Sequence, residues 1–164
     1  MNKAKIIYVM GVSGCGKSTI GKLLAVKLGY SFYDGDHYHP KANIDKMSKG
    51  IPLDDNDRTG WLETLNALGK KNQEKGAVIV CSALKSKYRE ILRAGMEETT
   101  VFLFLKGTLE LIGHRLSLRK GHFMPKELLE SQFKTLEEPE NALVVSIELS
   151  PEEIVDRAIA LLKN

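Results

Sequence analysis

Cysteine is scarce in this sequence. There are two among 164 residues, Cys15 and Cys81, in unrelated contexts and without the spacing of a metal site or a disulfide framework. They read as free thiols of a reducing compartment, so the expected location is cytoplasmic. Long apolar runs are missing too. The stretch near the start, MNKAKIIYVM, is short and passes straight into a glycine-rich segment with no small-residue cleavage site, so neither an export signal nor a membrane span is expected. Charge of one sign is nowhere concentrated: 24 Lys and Arg against 21 Asp and Glu leave a formal net charge of +3, and the basic residues are dispersed. Without a basic stripe, neither nucleic acid nor a membrane surface is an expected partner. Repeats, low-complexity stretches and Pro/Gly/Ser linkers are also absent. A chain of 164 residues with 43% hydrophobic content therefore suits one domain spanning 1–164.

What the chain does contain is an alternation of short apolar, β-branched runs with segments of helical spacing. Lys5 to Met10, Ser31 to Tyr33, Ala77 to Cys81, Val101 to Leu105 and Leu143 to Ile147 read as buried strands. Between and after them, Ser18 to Leu28, Arg58 to Lys75, Lys85 to Arg93, Leu109 to Leu118, Lys126 to Leu136 and Pro151 to Leu162 read as helices. Gly29 suits a helix end, and Ser150 followed by Pro151 suits a helix start. Strand and helix in repeated alternation mean an α/β fold with a parallel sheet covered on both faces. The polar inserts, Asp34 to Asp57 and Arg119 to Lys126, read as working loops rather than domain boundaries.

The segment Gly11-Val12-Ser13-Gly14-Cys15-Gly16-Lys17-Ser18 matches G-x-x-x-x-G-K-[ST] and lies between a strand and a helix, the context this phosphate-binding pattern requires. Glycines let backbone N–H groups turn inward around a phosphate, and the helix start adds its positive dipole end. Gly11, Ser13, Gly14, Cys15, Gly16, Lys17, Ser18 and Thr19 are thus the candidate ATP-binding residues, with Lys17 reaching the β/γ-phosphates and Ser18 ligating Mg²⁺. The competing explanation is a glycine-rich turn that happens to carry Lys-Ser. An accessible thiol at Cys15 would make this loop oxidation-sensitive. No N-K-x-D element reads guanine, and the strand Ala77 to Cys81 ends in Cys-Ser rather than the Asp usual in motor-type ATPases, so a compact kinase is favoured.

Asp34-Gly35-Asp36 follows directly on an apolar strand, which places both carboxylates at the carboxyl end of the sheet beside the phosphate loop. One can hold a Mg²⁺-bound water while the other accepts a hydrogen bond or the proton from an attacking hydroxyl. A solvated Asp-Gly turn is the alternative. His37 and His39 do not suggest zinc, because their surroundings are acid-rich and free of thiolates.

Downstream stand His37-Tyr38-His39-Pro40, Asn43, Lys46-Met47, Gly50, Pro52 to Arg58, Trp61-Leu62, Cys81-Ser82-Ala83-Leu84-Lys85 and Tyr88-Arg89. Leu105-Lys106-Gly107, Arg115, Arg119 to Met124, Gln132-Phe133 and Leu136 to Pro139 continue the series. In this order, over nearly the whole chain, the sequence resembles the gluconokinase family. The resemblance implies a P-loop NTPase with an adenylate/shikimate-kinase-like three-layer fold, a five-stranded parallel sheet and a mobile lid. It also implies MgATP as donor, D-gluconate as acceptor, 6-phosphogluconate as product, and a homodimer. The acceptor-binding insert is expected at about 34–60 and the lid at about 119–126.

The residues suit that acceptor, since gluconate needs a cation for its carboxylate and hydrogen-bonding groups for its hydroxyls. Arg58 is the first candidate for the cation, its planar fork matching a carboxylate, with a surface pairing to Asp54 or Asp57 as the alternative. His39, Lys85 and Arg89 are further candidates, the last two sharing a helix face at a spacing of four, which equally describes a solvated basic face. Asp36 is expected to orient the primary hydroxyl, with Asp34 in the outer shell of the metal. Arg115, Arg119 and Lys120 at the end of a helix can close over the polyphosphate, or simply complement the helix dipole. His122 is a candidate acceptor contact in the closed lid. Trp61, Phe123 and Phe133 fit the core and the acceptor pocket equally well. The rival functions are a kinase for another hydroxy acid such as shikimate, and an ATP-binding switch with no acceptor site.

Overall fold

In the computed structural model, residues 4–119 and 125–164 are described. Five strands, β1 (Ile6–Met10), β2 (Ser31–Asp34), β3 (Ala77–Val80), β4 (Thr100–Lys106) and β5 (Leu143–Ser146), form one sheet in the order β2-β3-β1-β4-β5. Every pairing is parallel. The helices of the described residues are α1 (Lys17–Leu28), α2 (Lys41–Ser48), α3 (Asp55–Lys71), α4 (Ser86–Arg93), α5 (Leu109–Ser117), α6 (Lys126–Thr135) and α7 (Pro151–Leu162), with a 3-10 turn at Gly35–Tyr38.

The three-layer arrangement follows from the pleat of β1. Successive side chains point to opposite faces, so a strand buried on both must be apolar throughout. Ile7 and Val9 pack into a core with Ile20 and Leu24 of α1 and Ile154 and Val155 of α7. Ile6, Tyr8 and Met10 pack on the other face with Leu62 and Leu65 of α3 and Leu92 of α4. Each such aliphatic side chain gains about 1.5–3 kcal/mol on full burial. The Tyr8 hydroxyl is satisfied in this core by the Leu92 carbonyl at 2.9 Å.

Register sets where chemistry can occur. Asp34 of β2 lies opposite Val80 of β3, and Val80 opposite Val9 of β1, so these strands end together. The phosphate loop leaves β1 and the Asp-Gly-Asp segment leaves β2 at this carboxyl edge, the usual place for ligands in such sheets.

Two local departures from the sequence pattern are instructive. The insert 34–57 is not an open loop, since it folds into the 3-10 turn and α2. α2 is short and mostly polar, which hides its period. α3 begins at Asp55, three residues before the expected start, because Asp54 and Asp57 form a reciprocal capping box. The Asp54 carboxylate accepts the Asp57 N–H at 2.7 Å and the Asp57 carboxylate accepts the Asp54 N–H at 3.0 Å, satisfying two orphan donors. Ser150 and Glu153 build the same device at α7, with Pro151 at its first position.

Candidate active site

The loop between β1 and α1 needs glycine where it turns. Gly14 and Gly16 have φ of 84° and 94°, a region side chains disfavour, and a Cβ on Gly14 would lie 2.8 Å from the Leu116 side chain of α5. Lys17 opens α1, and its ammonium donates across the loop to the carbonyls of Gly11 at 3.0 Å and Val12 at 3.1 Å. Beside the loop is an open cavity of about 560 Å³ whose lining includes Gly14, Cys15, Gly16, Thr19, Arg115 and Arg119, with Glu148 to Pro151 opposite. Cys15 is not such an accessible thiol. It is 3% exposed, tucked against Gly11, and burial raises its pKa more than nearby Lys17 lowers it.

Ser13 is held from outside the loop. Its N–H donates to Gln132 Oε1 at 2.7 Å, and Gln132 Nε2 donates back to Ser13 Oγ at 3.0 Å. Gln132 lies on α6, so the helix after segment 120–124 is tied directly to the phosphate loop. The two arginines expected to close over the polyphosphate, Arg115 and Arg119, are placed differently from each other. Arg115 donates to the Ile147 carbonyl at 2.7 Å, bracing the start of the β5–α7 connection, whereas Arg119 is exposed on the cavity rim. Lys120, His122 and Phe123, with most of the expected lid, lie outside the described residues.

On the acceptor side, Asp34 caps the 3-10 turn by accepting the Asp36 N–H at 3.0 Å, which leaves the Asp36 side chain projecting, 81% exposed. The glycine between them is required by proximity: a Cβ on Gly35 would sit 2.4 Å from the Val80 carbonyl oxygen. Trp61 of α3 clasps the same residue, its Nε1–H donating to the Gly35 carbonyl at 2.8 Å, so Trp61 is a core residue that also buttresses the acidic turn.

The cations converge on Tyr88. Arg58 donates to its hydroxyl at 3.2 Å and lies 5.6 Å from its ring centre, and Lys85 is also 5.6 Å from that centre. The Tyr88 hydroxyl donates to Asp55, whose carboxylate also accepts from Lys85 at 3.2 Å and from Lys87. Hydrogen bonds from Lys87, Tyr88 and Lys85 hold the Asp55 carboxyl well below the usual carboxylate range. Of the two acids expected as partners of Arg58, Asp57 instead pairs with Lys46 at 2.8 Å.

Arg89 is only 6% exposed and does not share a free face with Lys85. Its guanidinium donates to the Ala83 carbonyl at 2.7 Å and the Glu137 carbonyl at 2.8 Å. Ala83 has φ of 47°, so Arg89 staples a strained turn and thereby positions the segment carrying Lys85. His39 stacks on Trp61, ring centres 4.1 Å apart, with only 6% of its side chain exposed.

Sequence reasoning missed the roles of Gln132, Asp55 and Tyr88. Local spacing carried no signal for them, because their partners are remote in the chain; Gln132 and Ser13 are separated by 119 positions, Tyr88 and Asp55 by 33. The chemistry assembled at this edge is a nucleotide-sized cavity with a phosphate cradle, a projecting carboxylate, and cations that can meet an acidic acceptor. Hard oxygen donors, the Ser18 hydroxyl and the Asp34 carboxylate, suit Mg²⁺.

The sequence profile of the family described as Shikimate kinase matches residues 13–163. The chain is 44% identical to a probable gluconokinase of Mus musculus, covering 99% of this chain and 100% of that one. It is 45% identical to the thermoresistant gluconokinase of Escherichia coli K12, over 96% of this chain and 94% of that one. A crystal structure of a gluconokinase from Sinorhizobium meliloti 1021 superposes with a TM-score of 0.86 at 42% identity, covering 99% of this chain and 94% of the other.

Proposed function

This chain belongs to the gluconokinase family, within the wider shikimate kinase group, and on that premise we propose that it transfers the γ-phosphoryl group of MgATP to gluconate, releasing ADP and 6-phosphogluconate. The observation that carries this reading is the meeting, at one sheet edge, of the Lys17 phosphate loop with the projecting Asp36 carboxylate and the Arg58, Lys85 and Tyr88 cluster.

ATP lies with its phosphates in the Gly11 to Ser18 cradle and its nucleoside toward the cavity beside Thr19 and Arg115. Lys17 and Arg119 offset charge on the transferred group. Ser18 and Asp34 would hold Mg²⁺, which would supply further charge neutralisation on the ATP phosphates. Arg58 and Lys85 receive the gluconate carboxylate. Asp36 accepts the hydrogen bond of the terminal hydroxyl, whose oxygen forms the new bond to phosphorus as the bond to the ADP oxygen breaks. The hydroxyl proton passes to Asp36 and then to solvent. Positioning and charge neutralisation carry most of the rate in such transfers.

The test is a coupled ADP-release assay with MgATP and gluconate, shikimate, glucose or nucleoside monophosphates, the product identified by mass spectrometry. Turnover on gluconate alone supports the reading. Turnover on shikimate moves the acceptor assignment, and ATP turnover indifferent to every acceptor favours a switch protein. No helix of the described residues is long and apolar enough to cross a membrane. We place the enzyme in the cytoplasm as a homodimer, to be checked by fractionation and by light scattering.

A further inference from the structure

Asn43 is almost fully buried, 2% exposed, and its orientation can be deduced from its partners. Its amide group lies 2.9 Å from the Asp57 carbonyl oxygen and 3.2 Å from His39 Nδ1. A carbonyl oxygen only accepts, so the Asn43 atom facing it is the NH₂ nitrogen. The second hydrogen of that NH₂ then points at His39 Nδ1, which must offer a lone pair. An imidazole accepting at Nδ1 carries its proton on Nε2.

His39 Nε2 faces Asp36 Oδ1 at 4.0 Å. Trp61 covers one face of the ring with planes 18° apart, and Trp61 is itself pinned to Gly35, between the two acids. Turning the imidazole over would put carbon against the Asn43 donor and leave a buried polar hydrogen unpaired. The charged groups facing the ring are Asp36 and Arg58; burial, aided by Arg58 and opposed by Asp36, pushes its pKa down, in keeping with a neutral ring.

We infer that His39 is a positioning residue for Asp36: locked by Asn43 as the Nε2–H tautomer, it donates to one oxygen of the Asp36 carboxylate and leaves the other to the acceptor hydroxyl. Asp36 is exposed and free to rotate into range, and hydrogen bonds of this kind commonly tighten only with substrate in place. This gives His39 a task other than the direct acceptor contact expected from the sequence. The role of Asp36 rests on the phosphotransfer reading above, whereas the tautomer does not.

Two measurements test it. In ¹⁵N-histidine-labelled ligand-free protein at neutral pH, the His39 ring shows the nitrogen pattern of a neutral imidazole protonated at Nε2; a proton on Nδ1, or on both nitrogens, overturns the inference whatever the enzyme's activity. In steady-state kinetics, His39→Leu lowers kcat for gluconate about tenfold or more with KM for MgATP unchanged, while His39→Gln, which keeps an N–H near the Nε2 position, recovers most of that loss. Equal losses in both variants, or a change confined to KM for gluconate, overturn it. If the wild-type chain turns over no gluconate, the functional reading fails, and the NMR result still decides the tautomer.

Discussion

Gln132 and Ser13 are joined by two reciprocal hydrogen bonds, 2.7 and 3.0 Å long, so one carboxamide satisfies both the backbone N–H and the hydroxyl of a phosphate-loop residue. The contact makes α6 a strut for the loop and links the loop's shape to the helix that follows the expected lid. Gln132→Leu removes both bonds. At about 1 kcal/mol per net hydrogen bond, the two bonds together are worth about 2 kcal/mol, and the expected result is a roughly thirtyfold loss in kcat/KM for MgATP. KM for gluconate stays unchanged, and Gln132→Glu, which still accepts the Ser13 N–H, retains part of the activity. Initial-rate kinetics with each substrate varied would show this, and an unchanged KM for MgATP in Gln132→Leu would count against the strut.

Asp36→Asn keeps shape and removes the negative charge that we propose receives the hydroxyl proton. Turnover on gluconate should fall by about 10²-fold or more, the usual scale for general-base groups, while ATP binding measured by calorimetry is little changed. Unaltered turnover would remove Asp36 from the reaction.

Arg89 owes its burial to two carbonyl partners. Arg89→Met leaves the Ala83 and Glu137 oxygens unpaired and should destabilise the fold by about 1–3 kcal/mol per orphaned group. Arg89→Lys should not restore stability, because a single ammonium cannot reproduce the fork that reaches both oxygens. Urea denaturation midpoints of the two variants provide the comparison.

Asp55 gives stability a pH dependence whose sign can be worked out. Its folded pKa lies below the ordinary value of 3.8, so its contribution is fully present above that value and is lost as pH falls through the folded pKa. The stability difference between wild type and Asp55→Asn should therefore be constant near neutrality and shrink on acidification through and below the carboxylate range. The group is solvent-exposed and salt should reduce the same difference, which urea titrations at two ionic strengths can establish. A difference that grew on acidification would contradict the network.

The parts of this protein legible in its sequence are those whose physics is local. The phosphate loop is contiguous, Gly11 to Ser18, so its glycines, lysine and serine announce themselves together. The strand and helix alternation shows through periods of two and 3.6, and the α7 start through Ser150 and Pro151. α2 escaped because a short polar helix has no clear period, and α3 began early because reciprocal caps at Asp54 and Asp57 set its boundary rather than the apolar pattern. Other features depend on which elements the strand order β2-β3-β1-β4-β5 brings side by side. Asp55 and Asp57 look alike in the chain, yet one gathers Lys85, Lys87 and Tyr88 while the other closes a cap with Asp54 and pairs with Lys46. Lys85 and Arg89 share a helical spacing, yet packing buries one guanidinium under a strained turn and leaves the other cation at the site. A hydrogen bond between distant residues is decided by packing that excludes water and alternative partners, and that selection exists only once the chain has folded.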